Sequence, residues 1–131
     1  FFGYISCPDV CPTTMAKLSS VYKLLGEKGQ KVLTVFVSVD PQRDTPEKLK
    51  EYLEYFRVRA VGLTGTKQEI DAVIDAYKAV YAKVETDSAM GYLFDHSDYL
   101  YLIDQEGKVR QLLHTEDKPE DIVKLIKKLQ G

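Results

Sequence analysis

Apolar positions along this chain fall either in short continuous runs or at spacings of three and four residues. Phe1-Phe2-Gly3-Tyr4-Ile5 reads as a short buried strand. Val32 to Val39, nearly all apolar and rich in β-branched residues, reads as a strand covered on both sides. Between them Met15, Leu18, Val21, Tyr22 and Leu25 share one helical face, which ends near Gly29. Thr45 as cap and Pro46 as first residue open a second helix carrying Leu49, Tyr52, Leu53 and Phe56. Val61 to Leu63 suits a short edge strand. Thr66 and Glu69 form a capping box for a third helix carrying Ile70, Val73, Ile74, Tyr77 and Tyr81. Tyr99 to Ile103 and Lys108 to Leu113 flank Asp104-Gln105-Glu106-Gly107, a hairpin signal. Ile122, Leu125, Ile126 and Leu129 predict a final helix.

The predicted order is β-α-β-α-(β)-α-β-β-α. A helix crosses between the first two main strands, so they are parallel, and the tight turn makes the last two antiparallel. This matches a thioredoxin-like α/β plan, a sheet with helices on both faces, as an analogy of fold that leaves function open. The 131 residues suit a single domain over residues 1–131 that can bury a real core. Hydrophobic residues make up 44% and charged residues 29%, with a net charge of −2 and both signs interspersed. That balance gives no nucleic-acid footprint and no polybasic membrane patch. No apolar run approaches the roughly 20 residues of a membrane helix. The chain starts with Phe, inside an apolar run, so it is expected to be part of a longer protein whose upstream portion carries any signal peptide or anchor.

Chemistry enters with the cysteines. There are two, four positions apart, too few and too close for a disulfide scaffold. Cys7-Pro8-Asp9-Val10-Cys11-Pro12 lies between the first strand and the first helix. Pro12 suits the first helical position, which puts Cys11 at the helix N-terminus, where unpaired N–H groups and the macrodipole favour a thiolate. A thiolate both binds metal and attacks disulfides. Two thiolates and an imidazole suit a soft ion of low coordination number, and copper(I) fits. Structural zinc normally takes four protein ligands, and using Cys7, Cys11, His96 and His114 together would give an unusual zinc spacing. If the Tyr99 strand lies antiparallel beside the first strand, its beginning sits at the cysteine edge, with His96 just before it. His114 is then one strand further out, so His96 is the favoured ligand and His114 an exposed strand-end histidine.

Other residues weigh less. Asp40 ends the central strand at the same edge and is a candidate for supporting the site, although local salt bridges within Asp40, Arg43 and Asp44 explain much of that turn. Asp44 and Thr45 are both plausible caps. Met15 reads as core filler and Met90 as an outside candidate ligand that we bet against. Tyr52, Tyr55, Tyr77 and Tyr81 read as packing. Three functions compete: metal delivery, thiol-disulfide exchange through Cys7 and Cys11, and a peroxidase of peroxiredoxin type. The Cys-x-x-x-Cys spacing and the lack of a proline before Tyr99 count against a general thioredoxin, and no Arg lies near Cys7 to serve a peroxidase.

Taken together, Phe-Gly-Tyr followed by Cys-Pro-Asp-Val-Cys-Pro, then Val-Ser-Val-Asp-Pro-Gln-Arg-Asp-Thr, Val-Gly-Leu-Thr-Gly-Thr, and Asp-His-Ser with Tyr-Leu-Ile-Asp resemble the Sco/SenC family across nearly the whole chain. The resemblance implies a copper metallochaperone for the dinuclear copper centre of cytochrome c oxidase. It implies copper, as copper(I) and also copper(II), on Cys7, Cys11 and His96. It also implies an alternative or side activity as a thiol-disulfide oxidoreductase on the oxidase's copper-site cysteines. The implied partners are the copper-bearing oxidase subunit and a copper donor protein, with no nucleic acid, and a monomer is the default. The implied location is the bacterial periplasm, anchored to the inner membrane by a missing N-terminal helix. The alternative is the mitochondrial inner membrane, facing the intermembrane space. The strands that normally precede Phe1 are absent, and Val84 to Met90 is short compared with mitochondrial members, which leans toward a bacterial source.

Overall fold

The structure is a computed structural model, and it describes residues 1–5, 10–56, 58–79, 81–85, 92–96, 99–114 and 117–130. β1 (Phe2–Gly3) leads to α1 (Val10–Leu25), a 3-10 helix (Gly26–Lys31) and β2 (Thr34–Ser38). Then follow α2 (Pro46–Tyr55), β3 (Ala60–Leu63), α3 (Lys67–Ala76), β4 (Tyr81–Glu85) and β5 (Tyr92–His96). β6 (Tyr99–Ile103), β7 (Val109–His114) and α4 (Pro119–Gln130) complete the chain.

Among the described residues the strands form three ladders. β2 is the centre of a parallel set ordered β1-β2-β3, with Phe2 opposite Val37 and Val35 opposite Val61. The antiparallel pairs are β4 with β5 and β6 with β7. The expected parallel start and closing hairpin are therefore present, with a helix in each parallel crossover. Alternation along β2 sends Phe36 and Val37 to opposite faces. Phe36 meets Tyr52 of α2 at a ring separation of 5.9 Å, while Phe2, on the Val37 side, meets Tyr77 at the end of α3 at 6.0 Å. Helices thus cover both faces.

Local chemistry accounts for the element ends. Thr45 Oγ1 accepts from Lys48 N at 3.2 Å and Pro46 follows it, so Thr45 caps α2. The Thr66–Glu69 capping box is closed in both directions, at 2.9 and 3.1 Å. The closing hairpin turns on Asp104, whose Oδ1 accepts from Glu106 N and Lys108 N, while Gly107 supplies a φ of +83°. Gly62 has a different role: a Cβ there would lie 2.7 Å from Leu49 Cβ, so its missing side chain lets α2 lie directly on β3.

Four expectations are corrected. α3 stops at Ala76, and Tyr81 begins a strand instead of continuing the helix, because a left-handed residue, Lys78 at φ +55°, breaks the helical path. His96 is the last residue of β5, inside a hairpin that the apolar pattern did not reveal. β2 is open on one side at its beginning, where Val35 is 36% exposed. Finally, β6 makes no ladder with β1 among the described residues; their contact is through side chains, Phe2 against Tyr101 at 5.7 Å, edge to face. β1 is only two residues long and offers little backbone to pair.

Candidate metal centre

The site begins where β1 hands over to α1. Val37 N donates to Phe1 O at 2.9 Å and Val39 N to Gly3 O at 2.8 Å, so β1 finishes level with the end of β2. The chain then turns at Ile5 toward Cys7, which lies outside the described residues, as does Met90. Cys11 is the second residue of α1, with Pro12 third. The helix thus starts at Val10, two residues earlier than expected from Pro12. Proline is tolerated there because first-turn N–H groups need no helical acceptor. Thr14, one turn further, is buried at 1% exposure, and its hydroxyl has no hydrogen-bond partner among the described residues.

His96 stands at the end of β5, opposite Tyr81, three positions before β6 begins at Tyr99. Leu102 and Ile103, at the end of β6, share one groove with Val32 and with Thr34 and Val35 at the beginning of β2. The same groove is lined by Leu100 and Tyr101 of β6 and by Val37 of β2. His114 ends β7 opposite Tyr99, is exposed, and meets the Tyr99 ring in a tilted contact at 5.0 Å. Met15 is fully buried, as expected of core. Among the described residues no group of three or more His, Cys, Asp or Glu is close enough to hold a metal.

A buried acidic turn follows β2. Asp40 is 1% exposed and pairs with Arg43 Nε, while its carbonyl accepts from Arg43 N at 3.2 Å and Asp44 N at 3.0 Å. The local salt bridge anticipated for this turn is therefore present. Asp44 does not act as the cap of α2; it points inward at 2% exposure. Its Oδ2 accepts from Ser38 Oγ at 2.7 Å and from the backbone N–H of Ile5 at 3.1 Å. Burial pushes the Asp44 carboxyl above its usual range and Asp40 adds to the rise, against the pull of the Ser38 and Ile5 hydrogen bonds and of Arg43. Sequence reasoning offered Asp44 as a cap and as a salt-bridge partner in a turn able to support the site, and did not foresee its burial. Its partners are six and 39 positions away, so no local pattern marks it.

Comparison with known proteins decides the lineage: the SCO1/SenC family model matches residues 1–131. The chain belongs to the SCO1/SenC family. It is 41% identical to an SCO2-like protein of Rickettsia felis over 128 residues, which are 97% of this chain and 62% of that protein. The chain thus spans about six-tenths of the length of that relative. The copper-bound structure of Bradyrhizobium japonicum ScoI superimposes with a TM-score of 0.89 at 39% identity, covering 98% of this chain and 82% of that one. The copper-bound structure of Arabidopsis thaliana ScoI gives 0.90 at 33% identity, covering 98% and 81%. With these Sco neighbours the thioredoxin-like α/β class stands. Among the described residues no helix is long and apolar enough to cross a membrane.

Proposed function

We propose that residues 1–131 form one copper-binding domain of a metallochaperone, holding copper through Cys7, Cys11 and His96 and assisting assembly of the dinuclear copper centre of cytochrome c oxidase. The observation that carries this reading is the close match over nearly the whole chain to Sco proteins whose structures contain copper. The donor set suits the cargo: two thiolates and an imidazole form a soft site for copper(I), with copper(II) as a second state. The position of Cys11 in the first turn of α1 favours the thiolate form, and His96 closes β5.

The partners in this reading are the copper-bearing oxidase subunit and a copper donor protein. The domain works as a monomer held at a membrane by a segment upstream of Phe1, in the bacterial periplasm or, as the alternative, in the mitochondrial intermembrane space. A second reading, thiol-disulfide exchange by Cys7 and Cys11 on the oxidase's cysteines, draws on the same helix-start position of Cys11. The two are linked, since copper(I) loads only onto reduced thiols and oxidation to a disulfide releases it.

The test is a copper(I) titration against a competing chelator. One copper per chain is expected for the parent protein, with tight binding lost in Cys7→Ala, Cys11→Ala and His96→Ala. Tight binding retained in all three variants rules out the ligand set. Insulin reduction at a rate comparable to thioredoxin moves the oxidoreductase reading to first place.

A further inference from the structure

We infer that Asp44 is a positioning residue for the cysteine segment: its buried carboxylate clamps the backbone where the chain leaves β1 on its way to Cys7. The inference rests on the copper-site reading above. Three observations carry it. First, Asp44 is buried although a charged residue next to a helix start normally faces water. Thr45 already caps α2, so capping does not explain the burial. Second, one oxygen, Oδ2, takes both the Ser38 hydroxyl and the Ile5 N–H, at 2.7 and 3.1 Å. Third, the clamp is itself held from three sides. Ser38 Oγ accepts from Asp40 N at 3.0 Å, Asp44 N donates to Asp40 O at 3.0 Å, and Arg43 is paired to the Asp40 carboxylate.

The geometry gives the clamp a direction. Gly3 is the last β1 residue in the ladder, with its carbonyl on Val39 N. Ile5 has already turned out of the strand, and its N–H is taken by a side chain in the turn between β2 and α2, 39 positions along the chain. Cys7 follows two residues later. A carboxylate accepting from a backbone N–H makes a strong, charge-assisted bond, and one seated in a buried turn resists movement. Holding Ile5 in this way fixes the backbone two residues ahead of Cys7 in the sequence. Hydrogen-bonding partners behind metal ligands commonly change affinity by about 10–100-fold when removed.

The test compares Asp44→Ala, Asp44→Asn and Ser38→Ala with Ile126→Ala, a buried truncation in α4 that serves as a stability control. Two readouts are used: copper(I) affinity by chelator competition, and hydrogen exchange of the Ile5 amide in the metal-free protein. Asp44→Ala should lose Ile5 protection and weaken copper(I) binding by tenfold or more. Asp44→Asn keeps an acceptor oxygen and should restore most of both, and Ser38→Ala should move both in the same direction by less. Ile126→Ala should lower stability without lowering affinity. If Asp44→Ala fails to fold, Ser38→Ala carries the comparison. Copper affinity in Ser38→Ala and Asp44→Ala equal to that of the parent overturns the positioning role while leaving the copper site intact. An Ile5 amide that exchanges freely in the parent overturns the clamp itself. A parent protein without tight copper(I) binding overturns the functional reading first, and the positioning role with it.

Discussion

Gly62→Ala puts the packing of α2 on β3 to a test in which sign alone decides. A methyl at this position would sit 2.7 Å from Leu49 Cβ and 3.2 Å from Leu53 Cδ1. Carbon pairs settle at ~3.5–4.0 Å, so the gap to Leu49 must open by about 1 Å. Leu53 Cδ1 ends a side chain and can give way. Leu49 Cβ is fixed to the helix backbone, and Leu49 is fully buried, so α2 as a whole must retreat. Overpacking of this kind costs ~1–3 kcal/mol. Against it stands the gain of ~0.4–1 kcal/mol that glycine to alanine brings by restricting the unfolded chain. The net expectation is a loss of about 0.5–2 kcal/mol. For a domain of this size that lowers Tm by roughly 2–10 °C. Calorimetry, or a urea melt followed by circular dichroism, reads it directly. Leu49→Ala keeps its Cβ, so combining it with Gly62→Ala should recover little of the loss. A Gly62→Ala protein at least as stable as the parent refutes the reasoning, because it means that α2 does not rest on the bare backbone of β3.

Other predictions follow from single contacts. The Tyr22 hydroxyl lies within hydrogen-bond distance of Val32 O (3.0 Å), Arg59 O (3.0 Å) and Thr34 Oγ1 (2.9 Å), tying α1 to the starts of β2 and β3. Tyr22→Phe should therefore lower the urea midpoint by the equivalent of ~0.5–1.5 kcal/mol with the slope unchanged; an unchanged midpoint counts against that anchor. The folded state holds the Asp44 carboxyl above its usual range, so the unfolded chain ionises first as pH rises. That ionisation costs the parent protein stability from about pH 3.8 upward until the folded pKa is passed, and the stability of Asp44→Asn relative to the parent should climb across the same window. A difference that stays flat or falls across it contradicts the assigned direction. Asp104 shows the opposite sign. Hydrogen bonding from Lys108 N, first, and then from Glu106 N and the nearby cations, holds its carboxyl below the usual range. Its contribution should be full above about pH 3.8 and fade as pH falls through the folded value, and Asp104→Asn should remove that part of the acid sensitivity.

Much of this protein was legible residue by residue because the signals are local. Thr66 with Glu69, Thr45 with Pro46, and Asp104 with Gly107 each set a cap or turn within four positions, and the structure contains all three. The spacing of Met15, Leu18, Val21 and Leu25 likewise fixed the buried face of α1, since a helix repeats every 3.6 residues whatever it packs against. The β4–β5 hairpin escaped notice because Tyr81 continues the helical spacing of Ile70, Ile74 and Tyr77, and only the left-handed turn at Lys78 takes it out of the helix.

The sequence alone identified the side chains that carry soft donor atoms, Cys7, Cys11 and His96 among them, because residue type decides that chemistry locally. The inward turn of Asp44 was decided only by the tertiary structure. Its hydrogen-bond partners arrive from the end of β1 and from within β2, and only the parallel pairing of those strands brings Ile5 and Ser38 to the same oxygen. A buried carboxylate is stable only where such donors converge, and convergence across 39 residues is a property of the folded sheet and not of any window of sequence.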